Sequence, residues 1–195
     1  MKPTLNHILA GAALALAAGA LVAGDAGPDL NVDLTALARA IEQEEDHVDA
    51  LELAEWIRGR EPGLRVIDVR APAAYEQYHI PQAERIAISD IPALRVAPTE
   101  TIVLYSDGGI HAAQAWFFLR ARGYSNVRFL RGGVYEWLDQ VINPQLAPNA
   151  TPEQQRRYAR QKELSEYFGG EPSAFSQPTT PDIGEAVRRL KRKTC

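Results

Sequence analysis

The chain has 195 residues, 46% of them apolar and 24% charged, with a net charge of −4. That is enough apolar content for one buried core with extensions, and too little positive charge for a nucleic-acid binder. The single cysteine, Cys195, is the last residue, which excludes an intramolecular disulfide and a cysteine-rich zinc site.

The elements follow in chain order. From Ile8 to Ala23 the chain runs 16 residues without a charge, mostly Ala, Leu and Gly. That length fits the apolar core of a secretory signal better than a full membrane span, so residues 1–26 read as a signal peptide or an uncleaved membrane anchor. The expected location is exported, either periplasmic or held at the membrane by this segment. Residues 33–46 then read as an amphipathic helix, capped by Asp33 or Thr35, with Leu34, Leu37, Ala38 and Ile41 at helical spacing and an acidic exit. A second helix is expected at about 50–59, closed by the turn Glu61-Pro62-Gly63.

Four Val/Ile-rich runs recur beyond that turn: Leu64–Val69, Arg85–Ile88, Thr101–Tyr105 and Val127–Leu130. Between them lie helical or turn segments at Pro72–Tyr78, Ser89–Leu94, His111–Arg122 and Gly132–Val141. Strands alternating with helices predict a three-layer α/β domain with a central parallel sheet over residues 33–143. Trp56, Trp116 and Trp137 are expected in or near its core, and Phe117 and Phe118 are expected to extend the apolar face of their helix.

Residues 144–195 form a polar C-terminal extension. It holds a helix from Thr151 or Pro152 to Phe168, an extended stretch over Pro172–Pro181, and a last short helix at about Asp182–Lys191. The extension carries 9 Lys/Arg against 6 Asp/Glu, whereas residues 1–150 carry 12 against 19. Its basic end, Arg188 to Lys193, reads as a solvated helix terminus, with an acidic partner or lipid headgroups as the alternative.

Three segments resemble the rhodanese-like superfamily in order and spacing over roughly residues 48–140. The first is Val66-Ile-Asp-Val-Arg70, followed by Tyr75 and His79-Ile80-Pro81. The second is the loop from Tyr105 into the next helix. The third runs from Gly123-Tyr-Ser-Asn-Val127 to Gly132-Gly-Val-Tyr-Glu-Trp137. The resemblance implies a six-residue active loop: Ser106, Asp107, Gly108, Gly109, Ile110 and His111. It also implies that the family's nucleophilic cysteine is replaced by Ser106. A strand-to-helix loop points backbone N–H groups at a site suited to an anion, and Gly108 and Gly109 permit the tight angles this needs. A cysteine there would carry sulfur as a persulfide, and a serine hydroxyl cannot. Asp107 adds a negative charge at the mouth, which disfavours an anion such as thiosulfate. Ala74 stands where a glutamate is common, and Tyr78 and Gln82 stand where glycines flank the His-Ile-Pro turn.

These features predict a non-catalytic binding or regulatory module for an anion, a sulfur species or a protein partner, needing no cofactor. The alternatives are a sulfurtransferase using Cys195 or a partner's thiol, and a hydrolase built on Ser106 with His111 as base. Asp68 and Arg70 are expected to support the loop or to fix the turn as an ion pair. His7, His47, His79 and His111 show no metal-ligand spacing, the weakest hint being His47 with Glu44. Arg120, Arg122, Arg128 and Arg131 form a basic edge with surface roles.

Overall fold

A computed structural model describes residues 32–174 and Gly184. The expected targeting segment, most of the last expected helix and Cys195 lie outside the described residues.

Two helices open the described chain, and each is set by an aspartate. Asp33 Oδ1 accepts from the Ala36 N–H at 2.9 Å and caps α1, Leu34–Glu42. Asp49 Oδ1 accepts from the Glu52 N–H at 2.8 Å and caps α2, Ala50–Gly59. A short side-chain oxygen at this position satisfies an N–H that has no partner within the helix. Between them lies a strand that the residue pattern does not announce, β1, His47–Val48. Next come β2 (Leu64–Asp68), α3 (Pro72–Gln77), β3 (Glu84–Arg85), a 3₁₀ turn (Ile91–Ala93) and β4 (Thr101–Tyr105). They are followed by α4 (Ile110–Ala121), β5 (Val127–Leu130) and α5 (Gly133–Trp137), which widens into a π turn over Leu138–Ile142. The expected run Arg85–Ile88 thus pairs only at its start, and Ser89–Leu94 shortens to the 3₁₀ turn.

The sheet is parallel throughout, in the order β1-β5-β4-β2-β3. Its residues alternate between two cores, as the two-residue period of a strand requires. Val66, Val103, Tyr105 and Leu130 join α2, α5, the π turn and Leu164 on one face. Ile67, Ile102, Leu104 and Val127 join α1, α4 and Ile91 on the other. Covering both faces is what lets strands such as Thr101–Tyr105 be nearly continuous apolar runs. Trp116 and Trp137 are buried and Trp56 partly so. Phe117 and Phe118, by contrast, remain 43% and 41% exposed. The core side of α4 is already filled by Ala112, Ala115, Trp116 and Leu119, so these two rings turn outward.

The polar extension begins with β6 (Gln145–Leu146) and α6 (Pro152–Tyr167). Thr151 and Gln154 close a reciprocal capping box at the start of α6. Leu164 of this helix is fully buried in the first core, and Phe168 meets Trp137 edge-on at 5.2 Å. Ser173–Ala174 (β7) pairs with β6. The extension is therefore docked on the domain as far as residue 174. No helix among the described residues is long and apolar enough to cross a membrane.

Candidate functional site

The register of the sheet decides where the chemistry can sit. Asp68 pairs with Tyr105 and Leu104 with Phe129, so β2, β4 and β5 end at one edge. From that edge β2 leads into α3 beside the first core, whereas β4 leads into α4 beside the second. Crevices open where successive connections leave a sheet on opposite faces. The two turns meeting at this crevice are Asp68–Arg70 and Ser106–His111.

The Ser106 loop is held from both sides. Ser106 O accepts from the Val134 N–H at 2.9 Å and Asp107 O from the Tyr135 N–H at 3.2 Å. The start of α5 thereby clamps the loop. A side chain at Gly133 would collide with both of those carbonyl oxygens, which explains the second glycine of the Gly132-Gly133 pair. Of the two loop glycines, only Gly109 takes a positive φ, +93°, as it turns into α4. Gly108 needs no such freedom, and a Cβ added there would meet the Tyr135 ring at 3.9 Å, an ordinary contact.

Inside the curl, Ser106 Oγ accepts from the Gly109 N–H at 3.2 Å and the Ala112 N–H at 3.4 Å. Ser106 is 3% exposed. The inward N–H groups that would cradle an external anion are thus turned onto the residue's own oxygen. Neither partner of that oxygen is a base, and His111 is exposed on the first turn of α4. The structure does not bring Ser106 and His111 together as a nucleophile pair.

The adjoining turn carries a buried ion pair. The Arg70 Nε lies 3.0 and 3.1 Å from the two Asp68 oxygens, and Nη2 lies 2.7 Å from Oδ2. Nη2 also donates to Tyr78 O at 2.6 Å, and Nη1 reaches Asp107 Oδ1 at 3.4 Å. The Arg70 and Asp68 side chains are 2% and 0% exposed, and that of Asp107 is 50%. Burial works against the Arg70 charge, but hydrogen bonding and attraction from Asp68, with Tyr105 and Asp107 adding less, hold its pKa above the ordinary value. Asp68 and Arg70 thus form a buried ion pair at the turn, and Arg70 Nη1 reaches the loop at Asp107 Oδ1. Arg85 Nε donates to Arg70 O at 3.0 Å, so two guanidiniums and two carboxylates meet at this corner, and Asp107 is its half-exposed charge.

Tyr105 and Tyr78 complete the wall, and neither is signalled by its residue type alone. The Tyr105 hydroxyl accepts from the Ile80 N–H at 3.1 Å, and its ring lies beneath the Arg70 guanidinium. Burial, then the Asp68 charge, push its pKa well up. The Tyr78 hydroxyl accepts from Trp137 Nε1 at 2.7 Å and is pushed up by burial. Tyr78 has an extended backbone, so no glycine is required there. Gln82 does occupy the left-handed region at φ +67°, where a glycine would be unstrained.

The remaining candidates make local contacts away from the Ser106 loop. His79 stacks on Tyr75 at 4.1 Å, and the Tyr75 hydroxyl donates to Ala83 O. His47 pairs with Asp46 at 2.8 Å rather than with Glu44, and no group of three metal-ligating side chains occurs among the described residues. Arg120 donates to Tyr124 O and Ser125 O, Arg122 donates to Leu94 O, and Arg128 lies over Trp56. A cleft of 640 Å³ between α5 and α6, lined in part by Glu136 and Asp139, contains none of the loop residues.

A parallel α/β sheet with a tight strand-to-helix loop at its carboxyl edge defines the class. Residues 49–140 match the family model of the rhodanese-like domain, and the chain carries a domain of that family. It is 33% identical over 95 residues to the probable adenylyltransferase/sulfurtransferase MoeZ of Mycobacterium tuberculosis, covering 46% of this chain and 24% of that protein. It is 30% identical over 73 residues to the thiosulfate sulfurtransferase YnjE of Escherichia coli, covering 35% and 17%. The match thus spans a quarter or less of these curated relatives. Among solved structures, the BH2092 protein of Bacillus halodurans is 26% identical with a TM-score of 0.45, covering 53% of this chain and 78% of that one. The human single-domain sulfurtransferase TSTD1 is 25% identical with a TM-score of 0.43, covering 48% and 95%.

Proposed function

We propose that this protein is an exported rhodanese-like module that has exchanged sulfur transfer for binding, and that its loop presents a surface to a protein partner. The observation that carries this reading is the position of Ser106 Oγ within the N–H cradle, where a sulfur nucleophile would otherwise receive those bonds. Two further features support a protein over a small free anion. The N–H groups of Gly109 and Ala112 are taken by Ser106 Oγ, and Arg70 is committed to Asp68, Tyr78 and Asp107. What faces outward is Ile110, 72% exposed, with Tyr135, 41% exposed, and Asp107. Export rests on the uncharged run Ile8–Ala23.

The test is sulfur transfer from thiosulfate to cyanide by the full chain, by Ser106→Cys and by Cys195→Ser. The proposal expects no turnover in the wild type and measurable turnover in Ser106→Cys. Wild-type turnover would contradict it. The names of MoeZ and YnjE favour a second reading, in which Cys195 or a partner's thiol carries the sulfur. Wild-type turnover abolished by Cys195→Ser would establish the Cys195 form of it. Export is tested by fractionating cells that express the full chain, and recovery only in the cytoplasm would remove that part.

A further inference from the structure

Helix α4 is apolar on two sides. Its inner side fills the second core with Ala112, Ala115, Trp116 and Leu119. Its outer side carries Ile110, Phe117 and Phe118, which are 72%, 43% and 41% exposed. At 100° per residue, Ile110, Gln114, Phe117 and Ala121 fall within one narrow stripe, with Phe118 along its flank. Helices that are apolar all round are covered in the native state, and exposed apolar patches mark interaction surfaces.

The charges at the ends of the stripe indicate what covers it. Asp107 lies at the amino end with half its side chain exposed, and its Arg70 contact is long at 3.4 Å. Arg122 caps the carboxyl end on the side of the Phe118 flank; its guanidinium lies over the Tyr124 ring and donates to Leu94 O, with further donors to spare. The stripe is therefore acidic at one end, basic at the other and uncharged between. A surface with that pattern is complementary to its own two-fold image. A parallel pairing would oppose like charges. An antiparallel pairing sets Ile110 of one chain against Phe117 and Phe118 of the other, about 12 Å along the helix. It also brings each Gln114 near the axis and each Asp107 beside the other chain's Ala121 and Arg122.

We infer that the outer face of α4 joins two copies of this chain across a two-fold axis, the helices antiparallel. Arg122 of each copy then sits at the mouth of the other's Ser106 loop and opposes the half-exposed Asp107 carboxylate. This inference makes a second copy of the chain the protein partner of the proposed function and so rests on that part of it, but it is independent of whether the loop retains sulfur transfer.

Oxidative cross-linking of the full chain tests it directly, with Cys195→Ser as the background so that a new thiol has no competitor. Gln114→Cys should give a disulfide-linked dimer on a non-reducing gel, and Glu76→Cys, on the exposed part of α3, should not. Asp107→Arg and Arg122→Asp should each lower the cross-linked fraction several-fold, and the two together should restore most of it. That restoration separates lost pairing from lost folding. A Gln114→Cys chain that stays monomeric under oxidation would overturn the inference. So would cross-linking that neither charge reversal reduces, which would assign association to another part of the chain.

Discussion

Strand β2 carries two arginine networks, one near each end. Near its start, Arg65 meets Glu84 at 2.7 Å and Glu100 at 3.3 Å with 26% of its side chain exposed. Just past its end, Arg70 meets Asp68 at 2.7 Å with 2% exposed. The chemistry is the same, but the setting is not. Water screens the first network and replaces either partner at little cost. In the second, loss of one partner strands the other's charge in the interior. The first network ties neighbouring strands together. The second joins the turn after β2 to the Ser106 loop through Asp107.

The largest effect should come from the buried network. Arg70→Leu leaves Asp68 unpaired, and urea unfolding should show a loss of about 3–5 kcal/mol. Ser106→Ala comes next. It removes the acceptor of two inward N–H groups, and leaving buried donors unmade costs about 1–3 kcal/mol. Ser106→Cys should fall short of that loss, because sulfur retains some acceptor capacity. Arg65→Gln should change stability by about 1 kcal/mol or less, and a loss as large as that of Arg70→Leu would erase the contrast.

The smallest effects are two carboxylates of opposite sign. The Ala97 N–H, then Arg65, hold the Glu100 pKa below its ordinary value. Glu100 therefore contributes stability above the unfolded-state pKa, and this is lost as pH falls through the lowered folded value. Burial, then Asp139, raise the Glu136 pKa, so its contribution is present at low pH and lost as pH rises through the raised value. Thermal melts at neutral pH should show Glu100→Gln lower and Glu136→Gln higher than wild type by about a degree or two, with both differences shrinking in acid. The same sign for both at neutral pH would contradict these environments.

The domain was legible in the sequence because strand runs and glycine turns act locally. Leu64–Val69, Thr101–Tyr105, Val127–Leu130 and the helix starts near Asp33 and Thr151 follow from periodicity and capping alone. His47–Val48 escaped, since two residues between an acidic run and a cap carry no periodic signal. Their strand character comes entirely from pairing with Phe129 and Leu130. The outward turn of Phe117 and Phe118 escaped because periodicity cannot say which of two apolar sides the core has already filled. At the site, the resemblance alone placed Ser106 at the family's cysteine position. The destination of its oxygen was not legible, because that depends on the curl set by Gly109 and on the clamp by Val134 and Tyr135. Nor could the strand-end pair be weighed before its burial and its reach to Asp107 were seen.

We propose that a sulfur-accepting cradle persists around the Ser106 oxygen. The most direct measurement of this is the intact mass of the protein after incubation with thiosulfate, in a Cys195→Ser background. The account predicts an unchanged mass with Ser106 in place and the gain of one sulfur atom when Ser106 is replaced by Cys. Failure of the Ser106→Cys protein to take up sulfur, with its fold intact by circular dichroism, would show that the cradle is no longer competent and would contradict the account.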